Sequence, residues 1–167
     1  MSIMYLMSGP SGAGKTTFAK KLAEDRNLQY LGIDDFYAVF NGSEKRHEDE
    51  FDVWMAFFQA IHLAELKGRN IVVDTNSPTK SKRTEFLDWF GGFDQHVLIF
   101  VNAPVELCVA NNLSRERVIP EDAMNEIIAS IEHPLIEDDP RWDNVQCYMN
   151  RNNTGYDLYP TPTKKGR

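Results

Sequence analysis

The sequence predicts an α/β fold in which a parallel five-stranded sheet carries helices on both faces. Three observations predict it. Strand-like and helix-like segments alternate along the chain, which implies right-handed βαβ units. The strand segments include unbroken apolar runs, as in sheets covered on both sides. The first of them ends in a glycine-rich turn that opens a helix. The chain has 167 residues, so one domain is expected over 1–160, followed by a flexible polar tail over 161–167.

Ile3–Ser8 is a short apolar run and reads as a buried strand. Lys15–Arg26 follows as a helix, with Phe18, Ala19, Leu22 and Ala23 on one face. Gln29–Ile33 reads as the second strand. Glu44–Lys67 reads as one long helix with a broad apolar face that includes Phe51, Trp54, Phe58 and Ile61, and Gly68 ends it. Asn70–Asp74 is the third strand, and Ser81–Phe90 a helix stopped by Gly91-Gly92. His96–Val101 is the fourth strand. Pro104 then starts a helix to about Leu113, and Pro120 another to about Glu132. Val145–Met149 is expected as a fifth strand at the sheet edge.

Composition narrows the class. Apolar residues make up 42% of the chain, enough for one core, and the net charge is −7. That charge argues against bulk electrostatic attraction to nucleic acid. Cys108 and Cys147 lack CxxC spacing and read as reduced, buried thiols. No run approaches the roughly 20 apolar residues that span a bilayer. Residues 3–7 are too short for a signal-peptide core. A cytoplasmic location is therefore expected.

Residues 9–16, GPSGAGKT, fit G-x-x-x-x-G-K-[ST] without departure. Gly9, Gly12 and Gly14 let the backbone bend so that its N–H groups turn inward around a phosphate. The N-terminus of the next helix adds to that field. Lys15 sets a cation against the β- and γ-phosphates, and the Thr16 hydroxyl suits Mg²⁺. Gly9, Ser11, Gly12, Ala13, Gly14, Lys15, Thr16 and Thr17 form the expected ATP-binding set.

Every other motif falls at a strand's carboxyl end or in a helix connection, where such sheets bind ligands. Asp34 and Asp35 follow the second strand. A carboxylate there either caps a helix or accepts the proton of an acceptor hydroxyl. The pair allows both roles, with Asp34 assigned as the base. Asp74-Thr75-Asn76 closes the third strand, as a turn or as a contact to magnesium or acceptor. Lys80, Lys82 and Arg83 are a solvated helix start or a contact to an anionic acceptor. Arg115 and Arg117 lie between two helices, as ordinary surface charges or as a lid closing on transferring phosphate. Arg115 is the first choice for that lid, and Arg117 a second cofactor contact. Asn150–Asn153 is placed beside the adenine.

The set GPSGAGKT, Asp34-Asp35, Asp74-Thr75-Asn76 and Asn112…Arg115…Pro120 resembles the kinase domain of phage-type polynucleotide 5′-hydroxyl kinases. It also resembles the related small P-loop kinases of the AAA-type ATP-binding group. The resemblance covers about residues 3–133 and implies a P-loop kinase fold with an arginine-bearing lid. It implies Asp34 as general base, Lys15 and Thr16 as the P-loop lysine and hydroxyl, Asp74 on the acceptor side and Arg115 as the lid arginine. One position departs: Tyr37 stands where the pattern has a phosphate-binding arginine. An aromatic there stacks on a base or packs in the interior, and both readings stay open.

The expected activity is ATP- and Mg²⁺-dependent transfer of the γ-phosphate to a hydroxyl, with Asp34, Lys15 and Arg115 catalytic. Asp35, Tyr37, Asp74, Asn76 and Arg83 form the expected acceptor set. The first acceptor reading is a nucleic acid, at a 5′-hydroxyl end or a hydroxymethylated base of DNA. The alternatives are a small molecule or nucleoside, and a nucleotide-binding switch or ATPase with no acceptor.

Overall fold

The computed structural model describes residues 1–44, 49–115 and 118–166. Strands and helices alternate as β1 (Ile3–Ser8), α1 (Lys15–Arg26), β2 (Gln29–Gly32), α2 (Ile33–Asn41), α3 (Glu50–Leu66), β3 (Ile71–Asp74), α4 (Lys80–Trp89), β4 (Gln95–Asn102), α5 (Val105–Leu113), α6 (Glu121–Ala129), β5 (Asn144–Asn150) and β6 (Tyr156–Tyr159). They build one sheet in the order β2-β3-β1-β4-β5-β6. All pairings are parallel except β5 with β6.

Period-two alternation sends each strand's side chains to two cores. Met4 and Leu6 of β1, Ile71 and Val73 of β3, and Leu98 of β4 join α3 and α4 on one face. Tyr5 and Met7, Val72, and Val97, Ile99 and Val101 join α1, α5 and α6 on the other. Burial on both faces explains why β3 and β4 read as unbroken apolar runs.

The α/β class holds, with two corrections. The sheet has six strands, not five, and β5 lies inside it. The edge is β6, whose sequence Tyr-Asp-Leu-Tyr is too short and polar to show a strand pattern. Asn152 and Asn153 make the β5–β6 turn at φ 48° and 61°, a left-handed conformation that asparagine tolerates. The expected helix 44–67 is found as α3, which starts only at Glu50, and α2 over Ile33–Asn41 is a further helix that follows β2 directly. Residues 45–48, including His47, lie outside the described residues. The polar tail is anchored at its start: Thr161 Oγ1 donates to the Val145 carbonyl, and the Ile136 N–H to the Pro162 carbonyl. Cys108 and Cys147 are buried free thiols. Among the described residues no helix is long and apolar enough to cross a membrane.

This topology positions the site. Parallel pairing of β1 with β3 and β4 places Ser8, Asp74 and Asn102 at one edge of the sheet. The Phe57 ring, fully buried, steadies α3 beneath that edge through edge-on contacts to Phe36 at 5.3 Å and Trp54 at 5.6 Å. Phe57→Ala is expected to cost about 3–5 kcal/mol, read as a lowered urea midpoint. A loss under about 1 kcal/mol would mean that the neighbouring rings refill the space.

Candidate active site

Residues 9–14 turn from β1 into α1. Gly14 is the residue before the helix, at φ 94°, where a side chain is strained. A Cβ there would also come within 2.8 Å of the Tyr156 hydroxyl. The turn closes on itself through the Ala13 N–H, which donates to the Pro10 carbonyl at 3.2 Å. The first N–H groups of α1 follow directly on that turn, the strand-to-helix arrangement that an anion nest uses.

Lys15 arches back over the loop, and its Nζ donates to the Gly9 and Pro10 carbonyls at 2.8 and 2.9 Å. Burial holds its pKa down at about 8; Asp74 pulls upward and Arg115 downward. A desolvated ammonium this close to neutrality binds strongly to an arriving anion.

Asp74 ends β3 and is buried. Its Oδ2 accepts from Thr16 Oγ1 at 2.7 Å and from the Tyr30 hydroxyl at 2.6 Å. Burial, and then Asp74 itself, raise the Tyr30 pKa, so the phenol stays a donor. Tyr30 reaches Asp74 by lying across Gly32, where any Cβ would collide with the phenol. Sequence reasoning missed Tyr30; glycine two residues after a tyrosine on one strand was the available signal. Thr16 Oγ1 and Asp74 Oδ2 form a paired hard-oxygen set. That set suits Mg²⁺, which is held by few protein oxygens together with phosphates and water. Among the described residues there is no cluster of three or more His, Cys, Asp or Glu for a protein-caged metal.

Asp34 lies in the first turn of α2, directly after β2. A carboxylate there also complements the helix dipole. Asp34 and Arg115 share a small cavity of about 110 Å³ with Glu44 and Ile119. Arg115 follows α5 on a loop whose base is stapled by Asn112. Its Nδ2 donates to the Ile119 carbonyl at 2.8 Å, and its Oδ1 accepts from the Ile119 N–H at 3.0 Å. Arg117 lies outside the described residues.

A cleft of about 740 Å³ brings most of the expected residues together. Ser11, Gly12, Gly14, Lys15, Thr16, Thr17, Asp34, Tyr37, Asp74, Asn76 and Arg115 all line it. Ala13 is buried in the core behind the loop. Tyr37 is only 3% exposed and donates to Glu50 Oε1 at 3.4 Å. It therefore offers no open ring face for a base. Asp35 is exposed and does not line the cleft, because the next residue of a 3.6-residue helix faces elsewhere.

Arg83 requires a correction. It is 2% exposed, and its Nη1 donates to the Glu132 carbonyl at 2.9 Å, with longer contacts to Ser8, Ser77 and Pro78. Asp138 stands 3.8 Å from Nη2. Arg83 thus ties the loop after β3 to the end of α6, and it cannot meet an acceptor from there.

Comparisons with known proteins bear on the family and the fold. The family model described as "AAA domain" matches residues 4–134. A Pyrococcus furiosus protein named "Putative adenylate kinase" is 37% identical over 72 residues, 43% of this chain. The match spans only 39% of that relative's length. Among solved structures, a sugar kinase from Janibacter superposes with a TM-score of 0.62 at 17% identity, over 88% of this chain and 86% of the other. A chain of the Pnkp1/Rnl/Hen1 RNA repair complex gives 0.70 at 15% identity, over 78% of this chain and 44% of the other. At these identities the structures establish the fold.

Arg83→Ala is expected to cost about 3 kcal/mol or more, because it removes the donor to the Glu132 carbonyl and the counter-charge of Asp138 and leaves a cavity in the interior. Chemical denaturation measures this. An unchanged midpoint with a raised KM for an acceptor would restore the contact to substrate.

Proposed function

We propose that this chain, which belongs to the AAA-domain family, is an ATP-dependent kinase that phosphorylates an alcohol. One observation carries the reading: Lys15, Thr16, Asp34, Asp74 and Arg115 line a single cleft at the carboxyl ends of the strands. ATP seats its phosphates on the N–H groups of the loop and the start of α1. Lys15 leaves the Gly9 and Pro10 carbonyls and turns to the β- and γ-phosphates. Thr16 and Asp74 would hold Mg²⁺, which neutralises phosphate charge. Asp34 accepts the acceptor's hydroxyl proton as its oxygen forms a bond to the γ-phosphorus. The bond to the bridging oxygen breaks, and Arg115 meets the charge spread over the transferring group. The hydrogen bonds of Asn112 to Ile119 fix the base from which that arginine is presented.

The acceptor reading is a small uncharged alcohol such as a polyol or nucleoside. The cleft volume falls within the range of small-molecule sites. Among the described lining residues, Lys15 and Arg115 are the cations, and both serve the phosphate donor. The opposite end is formed by Ile33, Tyr37, Trp54 and Ile127 with Asp34, Glu50 and Asn76. Such a wall accepts hydroxyl donors and disfavours a phosphodiester or a nucleoside monophosphate. A nucleic-acid 5′-hydroxyl is the second reading. It is favoured by the placement of Asp34 and Asp74 where the motif resemblance expects them. Lys45, Arg46 and His47 lie outside the described residues.

Asp34→Asn is expected to leave ATP affinity within about twofold and to lower turnover about 10²-fold or more. Transfer of labelled γ-phosphate would be screened against polyols, nucleosides, AMP, and 5′-hydroxyl DNA and RNA. Transfer to AMP or to an oligonucleotide alone would overturn the small-alcohol reading, and undiminished turnover would remove Asp34 as base. Phosphates raise the Lys15 pKa from about 8, so ATP binding above that pH takes up a proton. Apparent affinity then falls by up to about tenfold per pH unit. Calorimetry at pH 9 in two buffers of different ionisation enthalpy detects the uptake. Its absence would show that Lys15 does not meet the phosphates.

A further inference from the structure

Three consecutive carbonyls of the phosphate loop are each held by a side chain from outside it. Asn111 Nδ2 donates to the Gly12 carbonyl at 2.8 Å. Asn150 Nδ2 donates to the Ala13 carbonyl at 2.9 Å. The Tyr156 hydroxyl donates to the Gly14 carbonyl at 2.9 Å, which also receives the Phe18 N–H of α1. Asn153 joins the donors to one another. Its Oδ1 accepts from both Asn111 and Asn150 at 3.1 Å, its Nδ2 donates to Asn111 Oδ1 at 2.8 Å, and its N–H donates to Asn150 Oδ1 at 2.9 Å.

The consequence follows from the peptide unit. In a planar trans peptide the N–H points opposite the C=O. Fixing the carbonyls of Gly12, Ala13 and Gly14 therefore fixes the directions of the N–H groups of Ala13, Gly14 and Lys15. The Ala13 N–H is spent within the turn on Pro10. Those of Gly14 and Lys15 remain, aimed to the side away from the clamp. Loop peptides flip at low cost when their carbonyls face water. Here each flip would break a side-chain hydrogen bond, and for Ala13 a bond to a donor that is 2% exposed.

We infer that Asn111, Asn150, Asn153 and Tyr156 are positioning residues that pre-set the loop's N–H groups for the phosphates, rather than readers of the nucleobase. The clamp draws on four parts of the fold: α5, which leads to Arg115, the end of β5, the β5–β6 turn, and β6. The inference rests on the reading of residues 9–16 as a triphosphate site.

The test exploits a ligand that has phosphates but no base. Binding of ATP and of inorganic tripolyphosphate, each with magnesium, is measured by calorimetry for the wild type, Tyr156→Phe, Asn150→Ala and Asn150→Asp. Tyr156→Phe keeps the ring against Phe18, whose centroid lies 5.0 Å away, and removes only the donor. Each loss of one donor is expected to weaken both ligands alike, by about three- to tenfold. Asn150→Asp, which sets a carboxylate against the Ala13 carbonyl, is expected to exceed Asn150→Ala. A loss confined to ATP would make these residues nucleobase contacts and overturn the inference. Equal binding by all variants would overturn it too. If Asn150 variants fail to fold, Tyr156→Phe alone decides between these outcomes. A wild type that binds neither ligand would instead remove the triphosphate reading itself.

Discussion

Everything functional in this protein depends on the parallel alignment of β1 with β3 and β4. Parallel strands end together, so the turn after β1 and the carboxylate after β3 share one sheet edge. The hydrogen bond from Thr16 to Asp74 then ties α1 to β3 across that edge. A one-residue slip in register would send Asp74 to the other face and part it from Thr16. Complete burial of Ile71, Val72 and Val73 makes such a slip costly.

The site stores unfavourable electrostatics for use. Lys15 sits where burial disfavours its charge, and it is eased only by two carbonyls and by Asp74. The sign is that of a base with a depressed pKa. The cost to folding is full below about pH 8 and gone above the ordinary lysine value of 10.5. On the proposed function, arriving phosphates would relieve that cost, so free energy withheld from stability would reappear as affinity. Asp74 is treated differently, being satisfied beforehand by two hydroxyl donors.

How much of this was legible in the sequence follows from the range of each interaction. The phosphate loop was readable because its residues act within eight positions of one another. Asp34 and Asp74 were readable because strand ends can be located from apolar runs. The clamp on the loop was not, since its donors lie 99 to 142 positions away. The strand β6 was hidden by its polar sequence. Arg83 was misread for a different reason. Taken with Lys80 and Lys82 it looked like a surface charge cluster. Taken with Phe86, Leu87 and Phe90 it falls at i, i+3, i+4 and i+7 of one helical stripe, which is the buried one. Periodicity held the answer, and charge clustering obscured it. Asp35, one residue after Asp34, is turned to solvent by the same 3.6-residue geometry.

The antiparallel strand β6 has a second consequence. An interior of unbroken apolar strands would be a template for adding further chains if its last member lay open. Here the final strand is four residues long, and it carries Asp157 paired with Arg151 on its outer stretch. Such an edge is a poor seed for aggregation. The hairpin that discourages self-association also supplies Asn150 and Tyr156 to the phosphate loop. One short segment thereby closes the sheet and, on the inference above, also steadies the turn after β1.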